Sequence, residues 1–293
     1  MASDLLLYGG VVLIFLVLWG AIYVLLPLVR HGHGLLAPTI ARGTLRWTGI
    51  NRFTERYKAY APVALIIVAG GILTAWAGDA FLDLAELVHA KSDTLQTFDV
   101  LAHAWAVAHR TSGATSFFVV MSTVGGPVGV AAIGFIAAVV LVVKKQYRWL
   151  LYLAVTAGGG GLINLELKRY FARARPDVAE MLRRATGYSF PSGHAMGSTV
   201  VFGALSYLAF RTALQWRWKT AAPALAITLV LSVALSRVYL GAHWISDVAA
   251  GITCGTMWVA ITTVAYETLR RIRRMRSYRP LNRSSIRDGT RGE

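Results

Sequence analysis

The sequence predicts an all-α integral membrane protein with seven spans, and three observations predict it. Seven apolar stretches recur along the chain, each approaching the roughly 20 residues that a membrane-crossing helix needs. Hydrophobic residues fill 56% of the 293 positions and charged ones only 15%, against about a quarter in an ordinary soluble domain. The basic residues are sorted into alternate gaps between the apolar runs and into the C-terminal end.

The first run lies near Leu5 to Val29. No basic residue precedes it, it exceeds a signal-peptide core, and Leu26-Pro27 and "RHGHG" follow in place of a cleavage site. It is expected to be a retained helix with its N-terminus outside. The second run lies near Pro62 to Gly78, and the third near Ser116 to Val143, long enough to tilt. The fourth to seventh lie near Trp149 to Leu167, Met196 to Phe210, Ala221 to Leu235 and Ile245 to Leu269. Between the second and third, "TLQTFDVLAHAWAVAHR" has helical apolar spacing and is expected to lie flat at the membrane interface. His89, His103 and His109 in this region read as interfacial polar residues, since no ligand spacing supports a metal.

Lysine and arginine set the orientation. Six lie between Arg30 and Tyr60, three at Lys144, Lys145 and Arg148, three at Arg211, Arg217 and Lys219, and nine from Arg270 onward, together 21 of 30. The positive-inside rule makes the side holding these four segments cytoplasmic. The gap from Asp79 to Thr115 carries Asp79, Asp83, Glu86, Asp93 and Asp99 against Lys91 and Arg110, and is expected outside. The net charge of +16 is therefore a membrane pattern, with membrane lipids as partners and no nucleic acid. The single cysteine, Cys254, excludes an intramolecular disulfide and a cysteine zinc site, and reads as a small packing residue.

One loop breaks the sorting. It follows the fourth span, is outer by this count, and yet holds Lys168, Arg169, Arg173, Arg175, Arg183 and Arg184. In "KRYFARARP", Lys168 and Arg175 are seven apart and share a face if the fourth helix continues to Ala174 before Pro176 stops it. Two such cations suit an anion with several oxygens, or else a headgroup belt.

A second cluster, "YSFPSGHA", puts Pro191 and Gly193 in a tight turn with a helix starting near His194. Backbone N–H groups at such a start, with the Ser192 hydroxyl, can face an anion. His194 is then either structural or a proton-transfer group beside that anion. In the third cluster, "SRVYLGAHWISD", His243 and Asp247 are four apart and expected on one helix face. A carboxylate on one ring nitrogen leaves the other more nucleophilic. Arg237 can reach the same pocket. A metal site is disfavoured because the remaining candidates are cations. By the charge count all three clusters meet at the outer face.

Taken in order, "KRYFARARP", "PSGH" and "SRVYLGAHWISD" resemble the three-part signature of the type 2 phosphatidic acid phosphatase (PAP2) superfamily. The pattern is K-x6-R-P, P-S-G-H and S-R-x5-H-x3-D, with every signature position present. The resemblance implies a six-helix core over residues 61–269, preceded by an extra helix and basic loop over 1–60 and followed by a basic, disordered tail over 270–293. It implies that His243 forms a phosphohistidine, Asp247 orients it, and His194 protonates the leaving oxygen and then activates water. Lys168, Arg175, Ser192, Gly193 and Arg237 are implied to cradle phosphate, with no metal or cofactor.

The implied activity is a lipid phosphate phosphatase of a bacterial inner membrane, acting at the periplasmic face with its C-terminus cytoplasmic. Its implied substrates are undecaprenyl diphosphate, phosphatidylglycerophosphate, phosphatidate or lipid A phosphate. A phosphotransferase to an acceptor lipid is the alternative, and a non-catalytic binder or transporter of anionic lipids a third reading. Arg169, Arg183 and Arg184 match no signature position and read as headgroup contacts. "GGGG" at Gly158 to Gly161 reads as close helix packing or a hinge.

Overall fold

The structure, a computed structural model, describes residues 7–24, 48–212 and 215–277. Its elements are α1 (Leu7–Val24), α2 (Thr48–His89), α3 (Asp93–Ala108), α4 (Ser112–Val124), α5 (Pro127–Val143), α6 (Tyr147–Phe171), a short 3-10 turn (Val178–Glu180), α7 (Gly193–Thr212), α8 (Trp216–Tyr239) and α9 (Ile245–Ser277). Among the described residues every regular element is helical. α1, α6, α8 and the stretches Ile67–His89 and Ile245–Arg273 are five helices long and apolar enough to cross a membrane; the bent α4–α5 pair makes six.

α7 is the central helix. It packs against α8, α9 and α6, while α2 runs along α9. Buried Ser198 and Thr199 return their hydroxyls to the carbonyl of Ala195, so polar side chains sit within the bundle without unmet donors. A helix faced by protein rather than lipid needs no continuous apolar surface. α1 joins the bundle through Trp19, whose Nε1 donates to Thr220 Oγ1 at 3.0 Å, and through Tyr8 edge-on to Phe117. At the opposite end from the cationic loop, buried Glu267 accepts from the Tyr207 hydroxyl and from Arg270, with Arg211 and Arg271 alongside.

Several expectations are corrected. The third span is not one tilted helix but two, bent by 51° at Gly125-Gly126. Gly126 is extended and Pro127 opens α5, where its missing N–H disturbs no helical bond. α6 stops at Phe171, not Ala174, because Ala172 takes a left-handed conformation at φ 43°. Lys168 and Arg175 therefore do not share a helix face. α2 begins at Thr48, well before the expected Pro62. α9 continues to Ser277, so the first part of the expected disordered tail is helical; residues 278–293 and most of the basic segment after α1 lie outside the described residues.

Candidate active site

The three cationic and histidine clusters meet at one end of the bundle. His243, His194, Lys168, Arg175, Arg237 and Gly193 line a single cavity of about 980 Å³. Asp247 and Ser192 lie directly behind it, fully buried.

His243 was expected on a helix with Asp247, but it sits just before α9 begins at Ile245. The pair meets because Asp247 caps the helix: its Oδ2 accepts the Trp244 N–H at 3.0 Å, as in a capping box. His243 Nδ1 then stands 3.4 Å from the same oxygen. On the ring's other side, Arg175 reaches Nε2 at 3.1 Å. A guanidinium only donates, so Nε2 is the acceptor and Nδ1–H faces Asp247. This network assigns the tautomer. The Nε2 lone pair takes that Arg175 N–H and lies among cations, so an incoming electrophile would have to displace the guanidinium contact.

The remaining groups are held by short backbone contacts. Arg175 donates to the carbonyls of Thr186, Gly187, Tyr188 and Ala242 at 2.7–3.1 Å, and Lys168 to Tyr188 O at 2.6 Å. Both thus pin the loop between α6 and α7 to the site. Ser192 N–H donates to Asp247 O at 2.9 Å, fixing the Pro-Ser-Gly turn to α9. Gly193 is required by proximity: a Cβ there would lie 3.0 Å from Asn164 Oδ1. Arg237 is buried, its carbonyl accepts the Ala242 and His243 N–H groups, and its guanidinium donates to Ser122 Oγ. Among the described residues its Nε has no partner, an unmet donor on a cavity-lining side chain.

Burial holds the His243 imidazolium down to about 4; Arg175 and Arg237 add to the effect, and Asp247 opposes it. Burial likewise lowers Arg175, against the pull of Asp247. The sign matters for activity, since only neutral His243 has a free lone pair. As pH falls, His243 should remain a competent nucleophile to about pH 4 and lose activity roughly tenfold per unit below it. Arg175→Gln should move that acid limb upward. A kcat/KM profile against pH for both proteins checks this.

Three supporting residues escaped the sequence reading. Ser122 on α4 anchors Arg237. Ser189 donates to Asp247 Oδ2. Asp99, on α3 and 1% exposed, accepts from Arg173 Nη2 at 2.7 Å and from the Ser246 N–H and hydroxyl at 3.0 and 2.6 Å. The other end of Arg173 meets Asp247 Oδ1 at 2.7 Å. Arg173 is therefore shared between two carboxylates and lies behind His243. If Asp99 loses its charge, the guanidinium can turn bidentate onto Asp247 and take Oδ2 from His243. Asp99→Asn should lower kcat about 10- to 100-fold with KM nearly unchanged, and Arg173→Gln in the same chain should restore part of the loss. Steady-state kinetics of the cycle test the coupling.

Other expectations shift. His103 is not a free interfacial histidine: it is buried on Glu180 at 2.6 Å. Gly159 and Gly160 do pack closely, since a Cβ would meet Trp258 at 2.4 Å or Val200 at 2.9 Å. Gly158, Gly160 and Gly161 line the cavity, and at Gly158 and Gly161 a Cβ would meet nothing within 4 Å. Arg183 and Arg184 also line it. Among the described residues, no group of three or more His, Cys, Asp or Glu stands together.

Residues 149–271, which carry every signature position, match the PAP2 superfamily. The chain therefore contains a segment similar to the PAP2 superfamily. It is 32% identical over 131 residues to phosphatidylglycerophosphatase B of Bacillus subtilis, covering 44% of this chain and 64% of that one. It is 39% identical over 85 residues to an undecaprenyl-diphosphatase of Sulfolobus acidocaldarius, covering 29% of this chain and 36% of the relative. The chain thus spans less than two thirds of either curated relative. The crystal structure of a transmembrane PAP2-type phosphatidylglycerolphosphate phosphatase from Bacillus subtilis superposes with a TM-score of 0.62 at 26% identity, over 67% of this chain and 96% of that one. The PAP2 match begins in α6 and excludes α3 and α4, which supply Asp99 and Ser122.

Proposed function

We propose that this PAP2 protein is a lipid phosphate phosphatase of the membrane, working through a phosphohistidine. The observation that carries the reading is the His243 Nε2 lone pair, set by Asp247 and opening into a cavity of Lys168, Arg175 and Arg237. Nε2 forms a bond to phosphorus as the P–O bond to the lipid breaks, and the leaving oxygen takes the electron pair and a proton from His194. Water then attacks the phosphorus and yields its proton to His194. The P–N bond breaks, and phosphate leaves with Nε2 free again. Gly193 and His194 open α7 toward the same anion, and Ser192 holds the turn on Asp247 behind them.

The substrate tail lies in the apolar part of the cavity. That part is lined by α5, α6 and α7 residues and reaches Ala138 and Leu150, about 27 Å of helix rise from Lys168. The sorting of basic residues supports a site at the periplasmic face of a bacterial inner membrane with the C-terminus in the cytoplasm. In this reading α7 makes the seventh span, the catalytic core begins with α2 at Thr48 and ends with α9 at Ser277, α1 is an added helix, and the residues after α9 are a cytoplasmic extension.

The test uses the purified full chain, chelator and a panel of lipid mono- and diphosphates carrying labelled phosphate. Labelled free phosphate, with an acid-labile phosphoenzyme trapped on rapid quenching, is the expected result. Label moving to an added acceptor lipid would make the protein a transferase. Lipid binding without either product would leave a non-catalytic binder.

A further inference from the structure

Arg183 and Arg184 have no part in the chemistry above. Both are exposed, and both line the cavity that holds His243. Arg183 is fixed there, its Nη1 donating to Thr123 Oγ1 at 2.8 Å. Thr123 adjoins Ser122, which takes the Arg237 guanidinium, so two guanidiniums seat on consecutive residues of α4. The segment bearing the pair is itself tethered. Glu180 meets His103 at 2.6 Å, and the Leu182 N–H donates to Leu240 O at 3.1 Å. Arginines serving only a headgroup belt would reach outward to lipid phosphates and need neither a protein hydroxyl nor a tethered segment.

The charge count agrees. Five cations line the cavity and, among the described residues, no carboxylate does. One phosphate monoester carries about two negative charges at neutral pH, and Lys168, Arg175 and Arg237 already exceed them.

We propose that Arg183 and Arg184 form a second anion subsite, beside the position of the transferred phosphoryl group, that receives the second phosphate of a lipid diphosphate. This rests on the phosphatase reading and narrows its substrate class. His243 Nε2 bonds to the terminal phosphorus while the bond from that phosphorus to the bridging oxygen breaks. The bridging oxygen keeps the electron pair and leaves as part of a lipid monophosphate. The two guanidiniums offset the negative charge gathering on that leaving group. Water then releases the terminal phosphoryl group as inorganic phosphate and regenerates His243.

The experiment is calorimetric titration of the full chain bearing His243→Ala, in detergent, with inorganic diphosphate and with orthophosphate. Diphosphate should bind at least about tenfold more tightly. Adding Arg183→Gln and Arg184→Gln should erase that preference while orthophosphate still binds, which reports an intact fold. Equal affinities, or a preference that survives the two substitutions, would overturn the subsite even where lipid monophosphates are hydrolysed. A loss of binding to anionic vesicles with the diphosphate preference intact would return the two arginines to the headgroup belt and also overturn it. A preference that depends on them, in a chain that hydrolyses neither lipid, would support the subsite while the phosphatase reading fell.

Discussion

His243→Ala should lower kcat by about four orders of magnitude or more, and Asp247→Asn by about three to four. On the proposed mechanism the first removes the atom that bonds to phosphorus. The second keeps the shape of the side chain but replaces the oxygen pair that holds Nδ1–H. Oδ2 accepts from Ser189 and Trp244 and faces His243 Nδ1, while Oδ1 takes Arg173. An amide cannot accept on both sides, so one of these contacts inverts and the imidazole loses its tautomer. Because the two residues act as one unit, the double variant should be no slower than His243→Ala alone. Single-turnover rates with quenched-flow detection measure all three. Independent, multiplicative losses would show that Asp247 serves the fold rather than the nucleophile.

Gly158→Phe and Gly161→Phe should change which lipids are accepted. Both glycines lie on α6 facing the apolar arm of the cavity, with open space where a Cβ would go. A phenyl ring there meets no protein atom at its root, and leaving glycine favours the helix by up to about 1 kcal/mol, so the bundle should fold. On the proposed reading the ring occupies volume otherwise taken by the substrate tail. For Gly161, about 10 Å of helix rise below Lys168, the ratio of kcat/KM for short-chain over long-chain substrates should rise at least tenfold, the equivalent of about 1.4 kcal/mol. Gly158→Phe should do the same with a longer cut-off length. A ratio that stays at the wild-type value would place the tail elsewhere.

How much of this was legible follows physical lines. Helices announce themselves by apolar runs, and the reacting groups lie within three short polar stretches that interrupt those runs. The break in the third span was written as "TVGGPVG", but apolar neighbours carried the run through it. The end of α6 was not written at all. Alanine occupies the left-handed position where glycine is the usual sign, and this one residue decides that Arg173 turns toward Asp99 while Arg175 turns toward His243. Asp99 lies 74 positions from Arg173, a separation that carries no periodicity. Of the four consecutive glycines Gly159 packs, Gly158 and Gly161 line the cavity and Gly160 does both, a division set by helical phase and by where α7, α9 and the cavity stand around α6.

The buried contacts of α3 and α4 have a consequence for what counts as the working unit. The recognisable PAP2 segment runs from 149 to 271, yet two of its cations close their hydrogen bonds outside it, Arg173 on Asp99 and Arg237 on Ser122. Excised at the limits of sequence similarity, the segment would keep every signature residue, yet Arg173 would hold only Asp247 and Ser246, and the buried Arg237 guanidinium would lose the Ser122 hydroxyl. The boundary of ancestry therefore falls inside the boundary of the machine. A transplanted or minimised version must carry the outer helices along, because they complete an electrostatic circuit whose other half is all that descent has left visible.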